Sequence, residues 1–547
     1  MDRAAKEVDE NGPLIGSPDG PEERLKFPNR SLVFAVCAAC IGGTFQYGLN
    51  VSVINGPSQA VQTFINHTWL ERYQATIPGH TLTLLWSTIV SIFTLGGLLG
   101  GCIGGTLSVK LGRKGSLLAN NGFAVVAALL MGLSAPTGLF ELLIVGRFLS
   151  GLNAGIALCV QPLYLGEIAP TALRGSVSIG TVVFITGGIL TGQLLGLKEL
   201  LGDEGLWPLL LATTGLPALL QLAALPFCPE SPRFLLMDRG DEAACEEALK
   251  RFNGLDHFEK EREDMESERI LALGVQALKP WELFRDRSLR WPLLTVLVIN
   301  SAQQLNGINA IYFYADSVFR QCGIAADKIP YATVGTGACE CITALTCGLL
   351  IDRLGRRVLI VGGYFLMSLC CVGFTLSLTY QDASPALPYV SMACVFAFIL
   401  SFGLGPGGVT NILNTELFTQ TTRPAAYIVS GAVSWLSFFT VGMVFPFIVT
   451  GLQQYSFLVF LVVCMGAGAY ILFVVPETKG KTFLEIHQEF QMGEEQETSG
   501  NHRLDCSMNT QEVKPSPRLL CEHTGAETIA LTLYEHTGAE TIASTAL

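Results

Sequence analysis

Residues 166–175 read GEIAPTALRG, and residues 415–425 read TELFTQTTRPA. In the first stretch Glu167 stands seven residues before Arg174; in the second Glu416 stands seven before Arg423, an offset of 249 between the glutamates. KLGRK at 110–114 returns as RLGRR at 353–357, offset by 243, and PESPR at 229–233 returns as PETKG at 476–480, offset by 247. Three short motifs in one order at nearly one offset describe a chain written twice. Between the motifs lie apolar segments of about 20 residues, long enough to span a hydrocarbon core ~30 Å thick as helices. There are twelve, from 31–54 and 82–107 to 424–449 and 457–475, six to each copy.

Composition agrees. Of 547 residues, 50% are hydrophobic and 15% charged, where a soluble domain carries roughly 25% charged. The expected fold is therefore an all-α membrane protein of twelve transmembrane helices in two pseudo-symmetric six-helix bundles. Its parts are a tail at 1–30, a bundle at 31–227, a linker at 228–290, a second bundle at 291–475 and a tail at 476–547. The linker is dense in charge, and DEAACEEALKRF fits an amphipathic helix with Glu246 and Lys250 at i,i+4. The second tail is polar and reads as disordered, with EHTGAETIA at 522–530 repeated at 535–543. The sixteen cysteines fall mostly inside apolar segments, where Cys acts as a small hydrophobe, so no disulfide framework is expected.

Short-loop charge sets the orientation. On the side of the amino terminus the loops hold Lys110, Arg113, Lys114, Arg174, Arg353, Arg356, Arg357 and Arg423; the other side holds only Arg72, Lys198, Arg320 and Lys328. Both termini and the linker are expected in the cytoplasm, with no cleavable signal before the first span. Asn66-His67-Thr68 is a glycosylation sequon in the loop this topology places outside. The net charge of −12 gives no basic surface for nucleic acid.

Several chemistries are missing. No GxxxxGK[ST] loop occurs, and all seven histidines lie outside the spans, which removes nucleotide-driven pumping and an intramembrane His relay or metal site. Neither a catalytic residue nor a metal ligand set is expected, no cofactor is implied, and the chain is not read as an enzyme. Acid and base appear instead at span ends. Glu167, Arg174 and Arg113 in one copy and Glu416, Arg423 and Arg356 in the other fall on the basic side, where ion pairs are expected to latch the halves when the inner side is closed and to break when it opens, a two-state element that alternating access needs. Arg147 and Glu340 lie within spans, so each is expected to face the bundle interior beside a partner.

The seventh span contains SAQQLNGINAIYFYA at 301–315. On an unbroken helix, at 100° per residue, Gln303, Gln304, Asn306 and Asn309 point all round. They converge only if the helix breaks, and Asn306-Gly307 is the place, because Gly tolerates unwound backbone and Asn satisfies it locally. Broken helices near the midplane are where transporters bind substrate, and uncharged amides suit a ligand covered in hydroxyls. Interhelical hydrogen bonding is the structural alternative.

QQLNGINAIYFY, PESPRFLL, the paired GR[KR] loops, GRF, RPAA and PETKGKTF together resemble the facilitative glucose transporter family of the major facilitator superfamily, over residues 31 to 485. FQYGLN, LTLLWS and SLLANNGF resemble its class II members. The resemblance implies facilitative transport of fructose and glucose at the plasma membrane, with the hexose and the bilayer as partners and no obligate protein partner. It implies sugar contacts from Gln303, Gln304, Asn309, Gln193, Tyr47 and Trp435, and from Asn411 where the family has a tryptophan. Asn50 stands where proton-coupled relatives carry an Asp, which implies uniport. The chain departs from the family at Val182, Glu340, Gly403, Asn411, Ser434 and Phe438, each at a hydrogen-bonding or aromatic position of the site. A polar organic anion such as urate, or proton coupling through Glu340, are the alternatives these departures leave.

Overall fold

In the computed structural model of the protein, the described residues are 29–170, 173–253, 259, 261–263, 265–267, 280–286, 289–419, 422–479 and 485–486. The repeat at 522–530 and 535–543 lies outside them, as do residues 1–28. Among the described residues, nine helical stretches are long and apolar enough to cross a membrane. One of these, Arg423–Val474, turns at Gln453–Tyr455 and holds two spans, Arg423–Leu452 and Ser456–Val474. Two more complete the twelve: a broken span made of Arg290–Leu305 and Ile308–Gln321, and Ile329–Leu354, which carries Glu340. The others, in order, are Arg30–Ser52, Gly79–Leu111, Arg113–Thr137, Glu141–Ile168, Arg174–Leu195, Trp207–Phe227, Arg356–Thr379 and Leu387–Glu416. We number the spans 1 to 12 along the chain.

Packing repeats as the motifs do. In the first half span 2 packs on span 4, span 3 on spans 4 and 6, and span 1 on span 5; in the second half span 8 packs on span 10, span 9 on spans 10 and 12, and span 7 on span 11. The halves meet through span 2 against span 11 and span 5 against span 8, two contacts that exchange when the halves do. Lipid offers no hydrophobic drive between helices, so close backbone approach of small residues holds them. Spans 2 and 4 show it: a Cβ on Gly151 would sit 1.8 Å from the Phe93 carbonyl oxygen, and one on Gly155 2.1 Å from that of Gly97.

Span 6 passes through a 3-10 turn at Thr213–Gly215, and three other spans are interrupted more sharply. Span 1 widens into a π turn at Ile41–Phe45, and the freed Thr44 N–H donates to Gln161 Oε1 of span 4 at 2.8 Å. Gly43 makes room, since a Cβ there would lie 2.3 Å from that same oxygen. Span 7 breaks at Gly307, whose φ of +105° L side chains rarely adopt. Asn306 closes the break from both sides, donating to the Gln303 carbonyl and accepting from Ile308 N–H, each at 2.9 Å. Span 10 breaks at Gly405, and Pro406 starts its second segment, where a missing N–H costs nothing.

The linker forms helix Glu242–Asn253, and Lys250 bonds Glu246 as its spacing implies. Leu235, Leu236, Cys245, Ala248, Leu249 and Met265 make a small core there. Burial pushes the Cys245 thiol up to about 11.

Candidate substrate site

The break in span 7 turns its amides toward the middle of the molecule. Gln303, buried, donates to the Pro406 carbonyl at 3.3 Å, joining the break in span 7 to the break in span 10. Asn309 donates to Gln304 Oε1 at 2.7 Å and to the Gln304 carbonyl at 3.1 Å. Gln304 and Asn309 are therefore linked to each other, Gln303 is bonded to span 10, and the fourth amide, Asn306, is consumed in holding the break. Between the halves Trp435 meets Tyr47 edge-on at 6.2 Å and stacks on Phe438 at 6.2 Å, while Phe93 stacks on Tyr47 at 6.3 Å. These rings come from spans 1, 2 and 11, so the aromatic surface is shared by both halves.

Gln193 of span 5 donates to Thr336 Oγ1 of span 8 at 3.2 Å and leaves its own Oε1 buried without a partner. Glu340, one turn farther along span 8, neighbours Tyr312 and Tyr47. Its Oε2 and the Tyr312 hydroxyl are both buried and unpartnered. Asn411 stands apart: its side chain is exposed, beyond Pro406 toward the basic face, with no bond to the other amides. Val182 is likewise exposed at 44%. Gly403 packs on Thr343, whose Oγ1 would lie 2.6 Å from a Cβ there, so no longer side chain fits at that position as the helices stand. Ser434 donates to Asn300 Oδ1 at 3.3 Å, and Asn300 and Asn414 exchange hydrogen bonds at 2.8 and 3.2 Å. That cluster ties spans 7, 10 and 11 and went unread in the sequence, where two asparagines 114 residues apart carry no common signal.

Arg147 is fully buried. Its Nη1 donates to the Asn50 carbonyl at 2.8 Å and its guanidinium lies 4.7 Å from the centre of the Phe93 ring. The partners expected of it are thus a backbone oxygen and a π face.

At the basic face the described ion pairs lie within each half. Arg113 Nε lies 2.9 Å from Glu167 Oε2, and Arg356 Nε lies 3.2 Å from Glu416 Oε1, but each pair closes within one half. Arg174 and Arg423 turn back onto the carbonyls of Ala169 and Phe418, at 3.3 and 3.1 Å, capping the end of the preceding span. The physical reason is local: the repeat motifs of one half meet each other. Glu230 of PESPR accepts from Lys114 N–H at 2.9 Å, and Glu477 of PETKG accepts from Arg356 and Arg357 N–H at 3.0 Å. Both loops turn at a glycine with positive φ, Gly112 at +82° and Gly355 at +91°. Glu230 and Glu477 were visible as repeated letters, but their capping role needs the fold.

Hydrogen bonds between the halves also close the face opposite the basic one. Gln59 donates to Asp316 at 3.2 Å and Tyr331 to Glu199 at 2.7 Å, so this structure is closed on that side. Asn66 is exposed there, on helix Ser58–Tyr73 rather than in an irregular loop.

The family model for sugar (and other) transporters matches residues 35–490. The chain is 49% identical over 466 residues to human facilitated glucose transporter member 11 of solute carrier family 2, covering 85% of this chain and 94% of the relative. It is 46% identical over 482 residues to mouse member 9, covering 88% and 90%, and 45% identical over 461 residues to mouse member 5, covering 84% and 92%. Among solved structures, the inward open conformation of the xylose transporter XylE from E. coli superposes with a TM-score of 0.69 at 21% identity, covering 84% of this chain and 99% of that one. A partially occluded inward open conformation gives 0.68 at 21%, covering 83% and 99%.

Proposed function

Because this chain belongs to the sugar transporter family, we propose that it carries hexoses, fructose and glucose, passively across the membrane by alternating access. One observation carries this reading most: Gln303, Gln304 and Asn309 flank the break at Gly307, Gln303 bonded to span 10 and Asn309 to Gln304, in a molecule whose two halves also share the rings of Tyr47 and Trp435. Amides that donate and accept, next to aromatic faces, match the hydroxyls and C–H faces of a sugar ring. Its relatives are named facilitated glucose transporters, which agrees. Transport asks for no cofactor and no covalent step; the ligand shifts the balance between states that it binds unequally.

Downhill uniport rests on Asn50, which stands where proton-coupled relatives carry an Asp. Its backbone carbonyl accepts from Arg147 Nη1 at 2.8 Å. Gln193, Glu340 and Asn411 set selectivity on the side facing span 7. The basic face is the cytoplasmic one, placing both termini inside and Asn66 outside at the plasma membrane. The closed face is then the outer one, and the structure faces inward. Within each half, the pairs Arg113–Glu167 and Arg356–Glu416 keep a bundle rigid while the two bundles rock.

Uptake of radiolabelled fructose, glucose and urate into reconstituted vesicles, with and without an imposed pH gradient, is the test. Saturable fructose and glucose uptake that ignores the gradient is expected. Accumulation of urate alone, or sugar uptake driven by the gradient, overturns the reading.

A further inference from the structure

Arg147 of span 4 is fully buried, and an arginine keeps its positive charge inside a protein. Of its three nitrogens only Nη1 is used, on the Asn50 carbonyl at 2.8 Å. Nε and Nη2, which form one edge of the guanidinium fork, are buried without a partner. Among the described residues no carboxylate acts on this group, and its titratable neighbour is Tyr314. The Asn50 side chain gives no help, because its Nδ2 is spent on the Gln46 carbonyl at 2.9 Å. Glu340, the other ionisable group at depth, neighbours Tyr47 and Tyr312 instead.

What surrounds the guanidinium falls short of balancing it. The Phe93 ring, 4.7 Å away, offers a π face, and the Asn50 carbonyl offers a dipole. Both return only a small part of what it costs to take an unpaired charge out of water. A second donor stands near: the Ser91 hydroxyl, fully buried and without a partner, neighbours Tyr314 as Arg147 does. Tyr314 sends its own proton to the Gly442 carbonyl. Three buried donors, Arg147 Nε, Arg147 Nη2 and Ser91 Oγ, therefore lie around one tyrosine with no acceptor of their own. Tyr314 is also a wall of a cavity of about 250 Å³ on the outer side, whose two charged walls, Asp316 and Arg320, are paired with each other. No unpaired acid bars an anion from that approach.

We propose that Arg147 is the centre of an anion site: the free Nε and Nη2 edge of its guanidinium holds one small monovalent anion, such as chloride, with the Ser91 hydroxyl nearby. Charge sets the valence. One uncompensated guanidinium calls for one negative charge, and a divalent anion would leave a surplus as costly as the one it relieves. Two parallel N–H groups on one edge of the fork are the arrangement that binds anions most strongly. The ion is a resident counter-charge and not cargo, so the site stands whichever substrate the carrier takes.

The experiment melts the full-length carrier, purified in detergent, in chloride, in methanesulfonate and in sulfate at one ionic strength. Chloride is expected to raise the melting temperature of the native protein by roughly 3 °C over methanesulfonate, and to do so progressively with its concentration, as a bound ligand does. Sulfate is expected to give no such rise. Arg147→Met removes the charge that holds the ion, and Asn50→Asp supplies a carboxylate on the residue that already meets the guanidinium. Each variant is expected to melt alike in chloride and methanesulfonate. Asn50→Asp decides the matter if Arg147→Met does not fold, because it adds the counter-charge and leaves no gap. A native melting temperature that ignores chloride overturns the site. A rise as large with sulfate, or one that survives in either folded variant, overturns it too.

Discussion

Span 1 and span 7 open their respective halves, and both are bent, but the bends are held in different ways. The π turn of span 1 is stabilised from outside, by Gln161 of span 4, 117 residues away from Thr44. The break in span 7 is stabilised from inside, by Asn306, which bonds the carbonyl three residues before it and the N–H two residues after it. A bend capped by its own sequence keeps its geometry wherever the helix goes, so the amides of Gln303 and Asn309 move as a unit. A bend capped by a neighbour keeps span 1 attached to its own bundle. The half proposed to hold the sugar and the half it rocks against are thereby built with different tolerances.

The largest effect that would break this comparison is at Gly307. Gly307→Val forces a β-branched residue to φ +105° and drives its Cβ to 2.6 Å from the Phe460 ring; a loss above about 3 kcal/mol is expected, with fructose uptake abolished. A thermal melt in detergent measures it, and a variant that melts like the native carrier refutes a required break. Next comes Gln161→Leu, which orphans Thr44 N–H and is expected to cost about 1–3 kcal/mol. Asn306→Ala should cost a similar amount yet also weaken sugar uptake, whereas Gln161→Leu should spare the sugar KM. Equal KM effects from the two would erase the distinction between inner and outer caps.

Smaller still is the coupling at the basic face. A double-mutant cycle on Arg113 and Glu167 is expected to show about 0.5–3 kcal/mol of coupling, while one on Arg113 and Glu416 shows none beyond about 0.5 kcal/mol. Coupling across the halves in the inward-facing state would contradict pairing confined to each half, whereas coupling that arises only when the inner side is closed is what a latch predicts. The smallest effect is Gly431→Ala in span 11, where a Cβ meets nothing within 4 Å. Its melting temperature should match the native protein or rise slightly.

Much of this was legible in the sequence because the deciding physics is local. Hydropathy runs fix span lengths, a repeated offset fixes the duplication, and Asn306-Gly307 announces its own break. The roles of Glu230 and Glu477 were half legible: their repetition could be read, but a carboxylate capping a loop more than a hundred residues away shows only in the fold. The pairing at the basic face was half legible too. Equal spacing of Glu167 and Arg174, and of Glu416 and Arg423, gave the duplication but not which acid meets which base, and each arginine instead caps the helix just before it. Asn411 was carried over by position alone, and its exposed side chain joins none of the other amides. Gln161 had no signal at all, since an amide that fills a gap in a distant backbone looks like any other amide.

The central claim is that the amides gathered at the span 7 break hold the sugar. Initial rates of fructose uptake against concentration, for the native carrier and for Gln303→Leu in the same vesicles, test it most directly. Losing one amide that pairs with substrate hydroxyls is expected to raise KM about tenfold or more, with the protein still folded and still able to open at its outer face. A Gln303→Leu carrier with native KM and native maximal rate would contradict the account.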